Sequence, residues 1–400
     1  MELLIYLLFF LLATLLDYKK YKTLLTPSVF LGGGYLLVMF LYLNLYDSIG
    51  LNPPYLPAIH VWTLGLFFFW ITGYLSSFFL YKGNLNKKKL SKEQLYDNLK
   101  LLSAKTLYGV AMLGLFLCFF LYKAYSIYMS QGSDASELYL SGGIQAHLFA
   151  IFNVFAILSV LVLSFRRMNK VNFVLNSFII FVSICYVLLY STKSAILYLF
   201  LSFFIAGAIY YNRKIKLFQI VFILLFGFLT FFISYSLIFE RLADLDFLIN
   251  HISIYYFSGV GSLSAYIENH YQVGLDPYLL FRPIENIVNI LNGDPLKNTI
   301  SSEWTYMGGG TYTNVKSFFG TIYLYGGLYW GIFTVLVYSF VVHFIFFQKN
   351  KKNFFISALI ARILTLLAFG WFDFIFNTVA FYELIVVSFF LAYIFKRYEL

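Results

Sequence analysis

What this 400-residue chain has least of is charge: Asp, Glu, Lys and Arg together make up 12% of it, against about 25% in a soluble domain. A chain so poor in charge and 61% apolar cannot cover itself with a water-compatible surface. That excludes the ordinary soluble classes and predicts an all-α polytopic integral membrane protein. Cysteine is nearly absent, and Cys118 and Cys185 both fall inside apolar runs, so they say nothing of a disulfide framework or a redox compartment. Histidine is scarce too. His251 and His270 are too far apart for a local metal pair, and no Asp or Glu completes a zinc spacing, so neither a metal nor a cofactor is expected. Acidic residues are fewer than basic ones, leaving a net charge of +10. Nucleic acid is not needed to explain that excess, because basic residues held in cytoplasmic loops give the same imbalance.

What is present is a succession of Phe, Leu, Ile, Val and Tyr runs. A spanning helix needs about 20 mainly apolar residues. The sequence predicts about eleven, over 2–16, 27–46, 61–81, 106–127, 144–164, 171–190, 193–211, 217–239, 318–346, 354–371 and 374–394. Most of the 28 Lys and Arg fall in every second connection: Lys19, Lys20 and Lys22, then Lys82 to Lys105, Arg166 to Lys170, Arg213 to Lys216, Lys349 to Lys352, and Lys396 with Arg397. Positive residues are retained in the cytoplasm, so the expectation is an N-terminus outside and a C-terminus inside. The first run has its lysines after it, the reverse of a cleavable signal peptide, and is read as an uncleaved span. The lysine-rich stretch 82–105 is an orientation signal and a solvated face. No repeat and no soluble boundary is visible, so residues 1–400 are expected to form a single membrane domain.

One long interval, 240–317, is neither span nor short turn, and the charge alternation puts it outside the membrane. It holds Arg241, His251, Arg282, Glu285, Glu303 and Lys316 among its polar groups. Within it Ile284, Ile287, Val288 and Leu291 recur at helical spacing, after Pro283 and before Gly293, which suit the first turn and the residue past the last. An amphipathic helix is predicted, with Arg282 at the end where free N–H groups attract anions. A phosphate would satisfy both the guanidinium and the helix end. The plainer reading is an interfacial helix lying on the membrane. Segment 247–267 reads as a re-entrant or interfacial helix. Gly308, Gly309 and Gly310 permit close backbone approach to a ligand, or a hinge. No Gly-Lys-Ser/Thr follows them, so they are not a P-loop.

Two cations stand apart from that loop. Lys193 sits in the outer turn Ser191-Thr192-Lys193-Ser194, and Arg362 lies eight residues into a predicted span. An unpaired charge there costs at least about 2.5–3.5 kcal/mol, so Arg362 should face a polar cavity or a partner. Asp373 is the candidate nearest in sequence.

Taken together, these features resemble the Wzy-type polymerases of O-antigen and capsule repeat units. The resemblance rests on the span count, the large late outer loop and the basic residue in the turn Ser191-Thr192-Lys193-Ser194. It also rests on the run Tyr312-Thr313-Asn314-Val315-Lys316-Ser317-Phe318-Phe319-Gly320 leading into Tyr325-Gly326-Gly327-Leu328-Tyr329-Trp330-Gly331. Relatives carry an arginine followed eleven positions later by glycine in outer loops, as do Arg282 and Gly293, although they often have arginine where this chain has Lys193. The resemblance implies a GT-C-like glycosyltransferase of the bacterial inner membrane that joins undecaprenyl-diphosphate-linked oligosaccharides on its outer face. Membrane lipids and a chain-length regulator protein are the partners it implies, and the chemistry needs no metal. Such a reaction needs cations for the diphosphate and a base for the acceptor hydroxyl. Arg241, Arg282, Lys193, Lys316 and Arg362 can supply the first; His251, Glu285, Glu303 and Asp373 are candidates for the second. A lipid-linked oligosaccharide flippase and an O-antigen ligase are the competing readings. Midplane charges and an internal repeat, the usual marks of a transporter, are few here, which favours an enzyme.

Overall fold

A computed structural model describes residues 1–81, 104–163, 169–190, 193–211, 229, 245–269, 274–298, 303–351 and 353–397. Arg241 and nearly all of the expected span 217–239 lie outside the described residues. The other expected spans are each occupied by a helix. In order these are α1 (Glu2–Tyr21), α2 (Pro27–Leu45), α3 (Ile59–Leu80), α4 (Ala104–Gln131), the short α5 (Ser133–Ser141), α6 (Gly143–Leu163), α7 (Lys170–Leu189) and α8 (Lys193–Tyr210). Then follow α9 (Leu245–Glu268), α10 (Arg282–Asn292), a hairpin of β1 (Thr305–Gly308) and β2 (Thr311–Thr313), α11 (Phe318–Phe347), α12 (Phe354–Ala368) and α13 (Val379–Arg397). Among the described residues, six helices are long and apolar enough to cross a membrane: Pro27–Leu45, Leu56–Leu80, Thr106–Gln131, Gly143–Leu163, Lys170–Leu189 and Phe318–Phe347. Shorter apolar helices occupy Ala195–Tyr210, Phe354–Ala368 and Val379–Ile394.

The chain divides into two compact units. The first comprises Met1–Tyr81, Ala243–Phe347 and Ile363–Tyr382; the second comprises Lys82–Leu242, Gln348–Arg362 and Glu383–Leu400. The interval 240–317 therefore belongs largely to the first unit rather than standing off from it.

In the first unit, helices approach closely where glycine removes the side chain, the usual device for apolar helices that cannot rely on the hydrophobic effect. On α3, Gly65 faces the Phe319 ring and Gly73 faces the His343 imidazole, each closer than any Cβ could tolerate. At one end of this unit Tyr21, Tyr81 and Phe347 pack ring to ring. The Asp17 carboxylate there accepts hydrogen bonds from Thr26 Oγ1 (2.9 Å) and Trp70 Nε1 (3.1 Å). Those neutral donors make burial of the carboxylate tolerable. At the other end the connection 50–55 meets the β-hairpin and α9. Asn52 N donates to Met307 O (2.7 Å), and the Tyr55 amide donates to Ser264 Oγ.

α11 is not one rod. Gly327 has φ 61° and ψ −159°, a backbone state open essentially only to glycine. The break reverses the chain: the position a Cβ would take on Gly331 is 3.4 Å from Ile322 O, although nine residues of continuous helix would separate them by about 13 Å. Residues 318–326 thus form a short buried helix lying beside the longer piece 328–347, where a single straight span was expected. Irregular backbone of this kind survives in an apolar setting only when protein surrounds it. Here the connector between α12 and α13 supplies that cover: Phe318 N donates to Gly370 O (2.6 Å) and the Phe318 ring packs on Phe374 and Phe376.

In the second unit, Tyr210 stacks on Phe354 (4.4 Å) and Tyr211 OH donates to Leu161 O (2.6 Å), joining the ends of α8 and α6 to the start of α12. Toward the start of α6, Phe149 stacks on Tyr186 of α7 (3.9 Å) and His147 pairs with Glu383 of α13, while Ser136 Oγ of α5 donates to Leu189 O of α7 (3.2 Å).

Candidate functional site

The site is built around Lys316, whose side chain is only 2% exposed. Two elements fix the chain on either side of it. Ser262 Oγ of α9 donates to Val315 O (2.6 Å), the Ser317 amide donates to Gly259 O (3.3 Å), and Trp62 Nε1 of α3 donates to Ser317 Oγ (3.2 Å). α9 can come this close because Gly259 has no side chain; a Cβ there would lie 2.3 Å from Phe372 O. The Lys316 ammonium donates to Thr305 Oγ1 of β1 (2.7 Å) and to Glu303 O (3.3 Å). A lysine has three donors, so a third N–H remains for another acceptor. Burial pushes this amine down from its ordinary value of 10.5 to about 8, with the nearby Glu303 charge opposing the shift. The Glu303 side chain is exposed, and Tyr325 OH reaches its Oε2 at 3.5 Å. An exposed carboxylate thus belongs to the residue whose backbone carbonyl holds the buried cation, with a phenol beside it.

A second cluster adjoins the first through Tyr325, whose carbonyl accepts the Asp276 amide (3.0 Å). Here the Arg282 guanidinium is buried and occupied: Nε donates to Asn298 O (3.0 Å), Nη2 to Asp276 Oδ2 (2.7 Å) and Nη1 to Glu285 Oε2. Glu285 is shared with Lys297 (2.7 Å). The expectation for Arg282 was a guanidinium left unsatisfied beside a helix end and needing an anion from outside. The chain instead supplies two carboxylates of its own, so the cluster ties α10 to residues 276 and 297–298. Glu285 is likewise committed to two cations. The predicted helix itself is present, and Gly293 ends it in the left-handed conformation (φ 77°).

The three glycines also differ from expectation. Gly308 and Gly309 press onto the backbone of Asn52 and Gly50, at 2.6 Å from where a Cβ would sit. The close approach they permit is therefore made by this chain and not by a ligand. They turn the hairpin, with a bulge between Tyr306 and Gly308.

Other sequence-predicted residues lie apart. His251 is on α9, eleven residues before Ser262, which is about 16 Å along the helix. Arg362 has its guanidinium 5.5 Å from the centre of the Tyr198 ring. A cation over an aromatic face is stabilised by the ring quadrupole, so Arg362 has an aromatic neighbour within its own unit. Asp373 accepts the Phe374 amide (2.7 Å), and burial raises its carboxyl to about 6. Lys193 begins α8, with its side chain outside the described residues, and Arg241 lies outside them altogether. Among the described residues no group of three or more His, Cys, Asp or Glu could hold a metal ion. Thr305 is no candidate by sequence, and Tyr325 enters there only within the run Tyr325-Gly326-Gly327-Leu328-Tyr329-Trp330-Gly331. Nothing local marks Thr305, whereas Tyr325 stands two residues before Gly327, which breaks α11.

Residues 50–400 match a family of unknown function, DUF6337. The chain belongs to this family. No curated protein and no solved structure matches the chain. The DUF6337 region begins at Gly50, so it takes in both clusters and the 50–52 connection that seats the hairpin, and leaves out α1 and α2.

Proposed function

We propose that this DUF6337 protein is a membrane glycosyltransferase that polymerises lipid-diphosphate-linked oligosaccharide repeat units, with its site at the Lys316–Glu303 cluster. The observation that carries the reading is the buried Lys316 beside an exposed carboxylate, held where the polar interval meets the apolar helices. In this reading the acceptor hydroxyl gives its proton to Glu303 as its oxygen attacks the anomeric carbon of the donor. The bond from that carbon to the diphosphate oxygen breaks, and polyprenyl diphosphate leaves. The free N–H of Lys316 offsets the charge gathering on the leaving group, a role in which one preorganised donor is worth several kcal/mol. General-base help of this kind contributes about 10²–10⁴ in rate. Eleven spans in a GT-C-like arrangement, an N-terminus outside and a bacterial inner-membrane location complete the proposal. The meeting of alternate helix ends within each unit supports the alternation of connections from which the basic residues assign the sidedness. A chain-length regulator remains a partner implied by the resemblance to Wzy-type polymerases.

Deletion and complementation test the reading. A deletion strain should display single repeat units at the cell surface and regain polymer with the wild-type gene. Lys316→Met and Glu303→Gln, at wild-type abundance, should restore single units only. Polymer of normal length in the deletion strain overturns the function; normal polymer from both variants overturns the site. Complete loss of surface saccharide in the deletion strain would point to the flippase instead.

A further inference from the structure

The faces of α10 are used in an inverted way. Its polar side is the one that packs on protein. Asn286 exchanges two hydrogen bonds with the Lys297 backbone, giving Nδ2 to its O and taking its N–H at Oδ1 (both 2.9 Å). Asn289 Nδ2 donates to Pro295 O (3.3 Å), Arg282 Nε donates to Asn298 O, and Glu285 holds Lys297. The returning segment 295–298 is thereby strapped along the polar face. The apolar side is left open: Ile284 is 50% exposed, Ile287 58%, Val288 49% and Leu291 80%. A helix of a globular protein buries that stripe and leaves the polar one to water. The buried Arg282, with two carboxylates, fixes this orientation, so the open stripe is not a mobile accident.

The surroundings indicate what covers it. Leu275, Leu328, Tyr329 and Trp330 are all exposed around the turn of α11 at Gly327, and Leu275 touches that turn. Tyr278, also exposed, lies in the turn that leads into α10. Tyrosine and tryptophan collect where a membrane meets water, and the longer piece of α11 carries exposed Phe333, Leu336 and Phe340 onward from there. α10 follows directly on Phe281, whose ring stacks on Tyr338 of that longer piece (5.3 Å), so the helix starts against the apolar surface of α11.

We propose that α10 lies in the plane of the outer membrane interface, its Ile284–Ile287–Val288–Leu291 face seated among acyl chains and its polar face turned to the segment it straps. This rests on the membrane-spanning reading of α11 and not on the glycosyltransferase reading. The test uses the full-length chain with Cys118→Ser and Cys185→Ser, in nanodiscs of phosphatidylcholine and phosphatidylglycerol. Cysteines are placed singly at Ile287, Leu291 and the exposed Asp294, and nitroxide-labelled. The ratio of oxygen to nickel-chelate accessibility should be several-fold higher at 287 and 291 than at 294. A ratio at 287 and 291 equal to that at 294 puts the helix in water and overturns the proposal. Shielding from both reagents shows that protein covers the face, and also overturns it; dipolar broadening then identifies a second copy. Ile284→Cys gives a further position on the same face should one label disturb the helix. None of these outcomes depends on polymerase activity, so failure here and failure of the glycosyltransferase reading are distinguishable.

Discussion

At the scale of the residue, Lys316 carries the clearest consequence. Its folded amine sits at about 8, against 10.5 in its ordinary state. Below 8 both folded and unfolded chains hold the proton, and the fold bears the full cost of a buried cation. As pH rises from about 8 to 10.5 the native state sheds the proton while the unfolded state keeps it, so stability rises with pH across that window. Removing the charge should raise stability at pH 7 by up to about 3 kcal/mol. Thermal unfolding of wild type and Lys316→Met between pH 7 and 10 measures this; the variant should lose the upward slope. Activity runs the other way. If the ammonium neutralises the leaving group, turnover is full below about pH 8 and falls above it. Lys316→Arg, which stays charged, should flatten that fall. An unchanged decline in the arginine variant would remove Lys316 from the chemistry. Arg282 shows the complementary case: a cation that looked available in sequence is fully occupied once its neighbours are in place.

At the scale of the element, α11 turns on a single glycine. Gly327 occupies a conformation closed to residues with a Cβ, and an added Cβ would also crowd Leu275 at 3.3 Å. Alanine there should cost about 1–3 kcal/mol in backbone strain and shift residues 318–326, which follow directly on Lys316. Gly109, in α4, has nothing within 4 Å of its Cβ position. Gly109→Ala should therefore be neutral or stabilising by up to about 1 kcal/mol. Melting temperatures and polymer length of the two variants, compared at equal expression, make the test. Equal effects would show that the break in α11 is not required. The same logic accounts for Gly259 and Gly308, where backbone from another segment takes the space of a side chain.

At the scale of the whole molecule, sidedness is the issue, and each unit bears on it separately. In the first, the ends of α1, α3 and α11 that the basic residues assign to the cytoplasm meet at Tyr21, Tyr81 and Phe347. In the second, the corresponding ends of α6, α8 and α12 meet through Leu161, Tyr211, Tyr210 and Phe354. Ser48 and Lys170 are exposed on connections of opposite parity. In intact cells a membrane-impermeant maleimide should label Ser48→Cys, and should label Lys170→Cys only after lysis, on a background without Cys118 and Cys185. The reverse pattern would invert the topology.

The sequence by itself determined the class, the helical segments and the alternation of basic connections. These depend on composition and on charge spread over tens of residues, and a bilayer reads both without reference to tertiary detail. It also determined α10, because Pro283, the apolar stripe and Gly293 are local signals. Only the tertiary structure decided the site. Lys316 acquires its buried setting from Thr305, Trp62, Ser262 and Gly259, which lie on three other elements. Arg282 lost its role as a free cation to Asp276 and Glu285, and Gly308 and Gly309 closed on Asn52 and Gly50 instead of on a ligand. The break at Gly327 was likewise hidden, since a run of apolar residues gives the same hydropathy whether it crosses once or folds back on itself. Whether a charged group is free is a property of its neighbours in space, and one-dimensional spacing does not contain them.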